Sequence, residues 1–151
     1  MAVIKNGIGQ INVGRAKYPL DDPKMADFVD NLDRINALAD RMDGFIWRLQ
    51  SDQGNATDIL LTSDPLALLN VSVWRDAQSL HRFVYHPEHA AFIKRRHEWF
   101  EPAEDIIFAL WLQPVDQAPS PEQAYARLQH LRDHGASEHA FGWKDVKRFM
   151  A

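Results

Sequence analysis

"NVSVWRDAQSLHRFVYHPEH", residues 70–89, is the stretch whose reading decides the fold. It opens with alternation: Asn70 and Ser72 against Val71 and Val73, ending on Trp74. That is the period of a half-buried strand. Asp76 then stands where a helix wants its N-cap, and Ala77, Leu80, Phe83 and Val84 recur at helical spacing. Pro87 interrupts that helix, because proline lacks the N–H and disfavours helical backbone in the residue before it. A second helical piece is expected from Pro87 to about Phe100. A strand therefore runs directly into a broken helix.

Upstream the same two periods recur. From Ile8 to Arg15, Ile11 and Val13 alternate with Gln10 and Asn12, which predicts a first strand. Asp21, Asp22 and Pro23 open a helix on which Met25, Phe28, Val29, Leu32, Ile35, Ala39 and Met42 share a face, and Gly44 stops it. GFIWRLQ (44–50) follows as a second strand, then a polar turn around Asp52 to Asn55. LLNVSVW (68–74) is the third strand, and IIFALWLQP (106–114) the fourth. The order is β-α-β-β-α-β, the split βαβ of ferredoxin-like folds, in a core spanning residues 8–114. A C-terminal extension, 115–151, carries a capping box (Ser120 with Gln123), Pro121 at the first helical position and Gly135 as a stop. Residues 140–150 read as extended or irregular.

A chain of 151 residues with 46% hydrophobic and 25% charged residues is expected to form one domain. The net charge of −4 argues against a nucleic-acid partner. The absence of cysteine excludes disulfides and thiolate chemistry, and a reducing cytoplasm fits it. The N-terminal MAVIKNGIGQINVG lacks the long apolar run of a signal peptide, and no stretch approaches the ~18 apolar residues of a membrane span.

Alternation sorts the strand residues into two sets. One is apolar: Ile11, Val13; Phe45, Trp47, Leu49; Leu69, Val71, Val73; Ile106, Phe108, Leu110, Leu112. The other is mixed: Gln10, Asn12; Ile46, Arg48, Gln50; Asn70, Ser72, Trp74; Ile107, Ala109, Trp111, Gln113. If like faces assemble, the mixed set makes an aromatic-walled surface with polar groups, either a ligand pocket or a polar interface. Which set faces the helices is left open by the pattern. Arg48 is either a bidentate anchor for an anion or a surface arginine with a buried stem. Helices on one side leave the other sheet face to be covered, and a homodimer is the expected solution.

The seven histidines do not predict a metal site. His81 and His86 would lie some 140° apart on one helix, at about 100° per residue. Pro87 separates His86 from His89. His130 and His134 have i, i+4 spacing but lack the glutamate of a zincin motif, and a last helical turn favours histidine for electrostatic reasons. His86 or His89 remains a candidate acid–base group if it points under the helix. Lys94, Arg95, Arg96 and Glu98 read as the wet side of the second helix, opposite Phe92, Ile93 and Phe100.

The segments FVDNLDRINALADRMDGFIWRLQ, NVSVWRDAQSLHRFVYHPEHAAFIKRRHEWF and AYARLQHLRDHGASEHAFGW resemble the family called domain of unknown function 3291. The resemblance runs from about Gln10 to Phe149. It implies membership of the dimeric α+β barrels, the superfamily of antibiotic-biosynthesis monooxygenases and haem-degrading enzymes, with two ferredoxin-like sheets closing one barrel across a dimer. The haem-degrading branch uses an asparagine on the first strand, matched here by Asn12. Its helical tryptophan and histidine fall on or near Phe83 and Ile93, with His89 and His97 one turn either side. Haem is thus the one cofactor the resemblance raises; otherwise none is expected.

Together these readings favour a cofactor-independent, monooxygenase-like enzyme for an aromatic or polycyclic small molecule. In it His86 or His89 is the base and Asn12 and Gln10 are polarising donors. Arg48, Asn70, Trp74 and Trp111 would hold the substrate. A haem or hydrophobic-ligand binding protein without turnover, and an accessory dimer without pocket chemistry, are the alternatives.

Overall fold

The computed structural model describes residues 6–52, 54–60 and 62–150. The start of the segment read above for a leader, residues 1–5, lies outside them, as does residue 53 of the polar turn. Four strands, β1 (Asn6–Arg15), β2 (Phe45–Arg48), β3 (Ala67–Trp74) and β4 (Phe108–Pro114), form one antiparallel sheet in the order β2-β3-β1-β4. The helices are α1 (Ala26–Arg41), α2 (Ala77–Val84), α3 (Pro87–Lys94), α4 (Arg96–Trp99), α5 (Pro121–His134) and α6 (Val146–Phe149). The element order is the ferredoxin-like βαββαβ with a helical extension, an α+β fold.

The local signals act as their chemistry requires. Asp22 caps a 3₁₀ turn, Pro23–Met25, ahead of α1. Asp76 accepts from the Ser79 N–H at 2.8 Å and starts α2. Ser120 and Gln123 close a reciprocal capping box on α5. Gly44 and Gly135 take φ of +87° and +78°, which only glycine adopts without strain, and end α1 and α5. The helix after Pro87 breaks at Arg95 and continues as α4, which shifts the phase of everything beyond it. Arg96 consequently turns inward and becomes half-buried, while Ile93, ahead of the break, is largely exposed at the cavity edge; both differ from the expected arrangement. Val29 is exposed rather than on the inner face of α1. Residues 140–150 are not simply extended: Phe141 bridges Leu110 through two backbone hydrogen bonds, and a 3₁₀ turn (Trp143–Asp145) and α6 follow.

Register decides which residues share a face. β1 pairs with β3 so that Gln10 opposes Ser72 and Asn12 opposes Asn70, and with β4 so that Gln10 opposes Leu110 and Asn12 opposes Phe108. Residues directly opposite in an antiparallel pair point the same way. The helix-facing surface therefore carries the mixed set of β1 and β3 together with Phe108, Leu110 and Leu112. A bulge between Phe45 and Trp47 also brings Phe45, as well as Arg48, onto this face. The two-set assignment thus fails on β4 and is split on β2. The β4 sets are both apolar up to Leu112, and the one polar residue, Gln113, lies with Trp111 on the opposite face, so alternation pointed the wrong way there.

The second face, Ile11, Leu69, Val71, Ala109 and Trp111, packs against Ala124, Leu128 and Leu131 of α5 and Ala140. The C-terminal helix of the same chain supplies the cover that the sequence argument assigned to a second copy. On the first face, one cluster (Ile8, Ala39, Trp74, Leu80, Leu110, Phe141) fills one end and another (Met25, Phe28, Leu68, Trp99) the other. The polar residues of β1 and β3 lie between them. Among the described residues no helix is long and apolar enough to cross a membrane.

Candidate functional site

Between those two clusters lies a cavity of about 350 Å³, floored by the sheet and roofed by α1 to α4. Its floor is a ladder of side-chain hydrogen bonds. The Gln10 amide donates to Asn70 Oδ1 at 2.8 Å and to Ser72 Oγ at 2.7 Å. Asn12 Nδ2 donates to Gln10 Oε1 at 3.1 Å. The Trp74 indole N–H donates to Ser72 Oγ at 2.9 Å. Gln10 and Ser72 are buried, so the ladder meets the requirement that buried polar groups find partners. It also defines what is left over. Ser72 accepts twice, so its own hydroxyl proton remains to donate, and Asn70, with Oδ1 engaged, presents its Nδ2 amine.

The walls are aromatic. Trp74 is fully buried, edge-on to Phe45 and stacked on Phe83 at 5.3 Å. Phe28, Phe92, Trp99 and Phe100 pack together at the far end with centroids 5.1–5.7 Å apart. Trp143, from the extension, stacks on Phe108 at 5.8 Å and closes a further side.

His89 lines the same cavity from α3. Its Nδ1 lies 2.9 Å from the Val84 carbonyl, and its ring rests on Phe83 with centroids 4.6 Å apart. A carbonyl only accepts, so the neutral ring carries its proton on Nδ1 and its lone pair on Nε2. Burial pushes the ring below its ordinary pKa, outweighing the Val84 hydrogen bond that pulls the other way; His86 pushes in the same direction as burial. A neutral imidazole with a free Nε2 lone pair is competent as a general base at neutral pH.

Other expected site residues go elsewhere. His86 is the N-cap of α3, its Nδ1 accepting from the Glu88 N–H at 3.2 Å, and it does not line the cavity. Arg48 does reach the cavity, but Asp40 takes its fork at 2.8 and 3.3 Å and the Gly54 carbonyl a further N–H at 2.8 Å. Its charge is thus neutralised within the chain, and it is not a free anion anchor. Trp111 lies on the opposite face of the sheet. Register sets it across from Gly9, whose missing side chain leaves room for the indole, and Arg127 covers its ring at 5.5 Å. Its N–H is bound to Gln113 at 2.8 Å.

The phase shift at Arg95 concealed a further residue. Arg96 is half-buried over the Phe100 ring at 4.8 Å and borders both this cavity and an open groove of about 560 Å³ at the end of β1. That groove is lined by Arg15, which pairs with Asp64, and by the Arg132–Asp105 ion pair, but it has no polar ladder, so the cavity over the ladder is the stronger candidate. The His130 and His134 rings lie 4.7 Å apart and His139 joins them at 4.8 Å. Among the described residues, no group of three or more histidines and carboxylates could hold a metal ion.

Phe83 and Ile93, at the haem-degrading positions, carry no atom that ligates iron. The exposed His97 turns Nδ1 to the Lys94 carbonyl. The residues present do not fit a haem site of that layout.

Comparison with known proteins gives a family and a fold. The sequence profile described as "Domain of unknown function (DUF3291)" matches residues 7–150. No curated protein matches. Among solved structures, SnoaB, a cofactor-independent oxygenase from Streptomyces nogalater, is 15% identical, with 77% of this chain and 98% of that chain covered and a TM-score of 0.50. NE2512 from Nitrosomonas europaea, a protein of unknown function, is 13% identical over 79% of this chain and 98% of that one, also with a TM-score of 0.50. At these identities the likeness is one of fold.

Proposed function

The chain belongs to the DUF3291 family, with the fold of the dimeric α+β barrels, and from that premise we propose that it is a cofactor-independent oxygenase acting on an aromatic or polycyclic carbon acid. One observation carries the reading: a neutral His89 faces the same aromatic-walled cavity as the Gln10–Asn12–Asn70–Ser72 ladder. In the reaction His89 Nε2 takes a proton from an activated CH₂ of the substrate. The Ser72 hydroxyl and the Asn70 amine stabilise the oxygen onto which the carbanion delocalises. Dioxygen then converts the CH₂ to C=O with release of water, so the atoms balance without a bound redox group. SnoaB, a cofactor-independent oxygenase, lends the reading support through its fold alone.

Asn12 acts in this scheme as a positioning residue, since its amide is spent on Gln10. Trp74 forms a wall. We place the protein in the cytoplasm, as a chain without cysteine suits. A homodimer of this chain, proposed from the family resemblance, would meet through surfaces other than the α5-covered face.

The test is dioxygen uptake with a panel of phenolic carbon acids. Wild-type protein is expected to consume one dioxygen per substrate, and His89→Gln to lose about 10²–10⁴-fold in rate while still binding. Tight binding with no uptake by the wild type would replace the oxygenase with a binding protein that does not turn its ligand over. No binding at all would leave an accessory role.

A further inference from the structure

Two arginines line the cavity over the ladder, and the structure treats them oppositely. Arg48 is paired with Asp40 through two N–H groups and gives a third to the Gly54 carbonyl. Arg96 has no carboxylate within 4.0 Å among the described residues. Among the described residues its one hydrogen bond is a long one, 3.4 Å to the Val13 carbonyl. Burial lowers its pKa from the ordinary arginine value, and a guanidinium stays charged in proteins. A half-buried cation without a counter-ion is unfavourable for folding alone.

The surroundings are shaped to hold that cation. A Cβ on Gly14 would lie 2.9 Å from Arg96 Nη2 and 2.9 Å from the Phe100 ring, so the bare backbone of β1 at this point is the seat of the guanidinium. The guanidinium also lies over the Phe100 ring, 4.8 Å from its centroid. A planar guanidinium seated this way, with most of its N–H groups unspent, matches the two oxygens of a carboxylate. The carboxylates that line the neighbouring groove with it, Glu101, Glu104 and Asp105, are exposed, and none of them pairs with Arg96.

We infer that Arg96 is the anion anchor of the cavity, and that the ligand is an aromatic acid whose ring lies among the aromatic walls with its carboxylate on this guanidinium. The inference rests on the cavity being a ligand site, as proposed above, and names the class of molecule that site takes. It also orients the ligand. The anion sits at the α4 end, where the cavity meets the neighbouring groove, and the ring extends inward toward the ladder and His89.

The experiment compares two probes of nearly one shape, 1-naphthoate and its neutral amide 1-naphthamide, by calorimetry on the wild-type protein, Arg96→Met and Arg96→Lys. Circular dichroism checks each variant's fold. Wild type is expected to prefer the acid by about tenfold or more, the size of a charge-assisted hydrogen-bond pair. Arg96→Met should erase that preference while binding the amide within about twofold of wild type, and Arg96→Lys should restore part of it. Equal affinity of wild type for both probes would overturn the inference and leave the pocket reading standing. So would a preference that survives in Arg96→Met. Should Arg96→Met fail to fold, the wild-type preference and its reduction in Arg96→Lys decide the matter. Failure of both probes to bind the wild type would overturn the pocket reading and the inference together.

Discussion

Truncating Leu128 to alanine tests how the second sheet face is covered. Leu128 is fully buried where α5 crosses the sheet, in a cluster with Ile11, Val71 and Trp111. The change removes three carbons, which at about 0.8 kcal/mol each is about 2.4 kcal/mol of lost transfer free energy. The sheet below is held by its ladders and cannot collapse into the gap, so a cavity contribution adds to this and brings the loss within the ~2–5 kcal/mol range of such truncations. Alanine's better helix propensity returns only a few tenths of a kcal/mol. A net loss of about 3 kcal/mol is expected, large beside a total stability of ~5–15 kcal/mol. It corresponds to a fall in Tm of roughly 6–12 °C for a domain of this length. Urea unfolding followed by tryptophan fluorescence measures it, with an unchanged m-value showing that only stability moved. Leu60→Ala, at a residue 48% exposed, is the control and should stay within about 0.5 kcal/mol. A Leu128→Ala loss as small as the control's would refute the docking of α5, and the apolar face would then need a second copy of the chain.

Two further outcomes follow from single contacts. Gly9→Ala places a Cβ 2.4 Å from the Trp111 ring, backed by a fully buried indole, so it should destabilise by about 1–3 kcal/mol in the same assay; a neutral result would mean Trp111 does not lie over β1. For His89, burial lowers the folded pKa below the unfolded value of ~6.5, so the unfolded chain takes up its proton first as the pH falls. Its contribution to stability is complete above that value and is lost as pH drops through the folded pKa. Wild type should therefore lose stability relative to His89→Gln between pH 7 and pH 5, and parallel stability curves for the two proteins would refute the buried neutral ring.

Much of this protein is legible in its order of residues because the signals are local. Strand alternation, the Asp76 and Ser120 caps, the stop at Gly44 and the break at Pro87 act within a few residues of themselves, and together they specify βαββαβ. Gln10, Asn12, Asn70 and Ser72 could be assigned to one face because polar residues alternated with apolar ones on β1 and β3. His89 was recognisable only as one of two candidates. What separated it from His86 is a contact with Val84 that depends on how α2 turns into α3.

Tertiary structure decided the rest wherever two long-range partners had to meet. The face of Trp111 followed from a β1–β4 register that a strand apolar on both sides up to Leu112 does not encode, and from the room that Gly9 leaves. The neutralisation of Arg48 needed Asp40 brought back from α1, and the exposure of Arg96 to the cavity needed the break at Arg95. The cover on the second sheet face came from α5, a helix beyond the repeat that defines the fold. Periodicity reports which side of its own element a residue occupies; what lies against that side is set by register, by phase breaks and by the packing of distant segments.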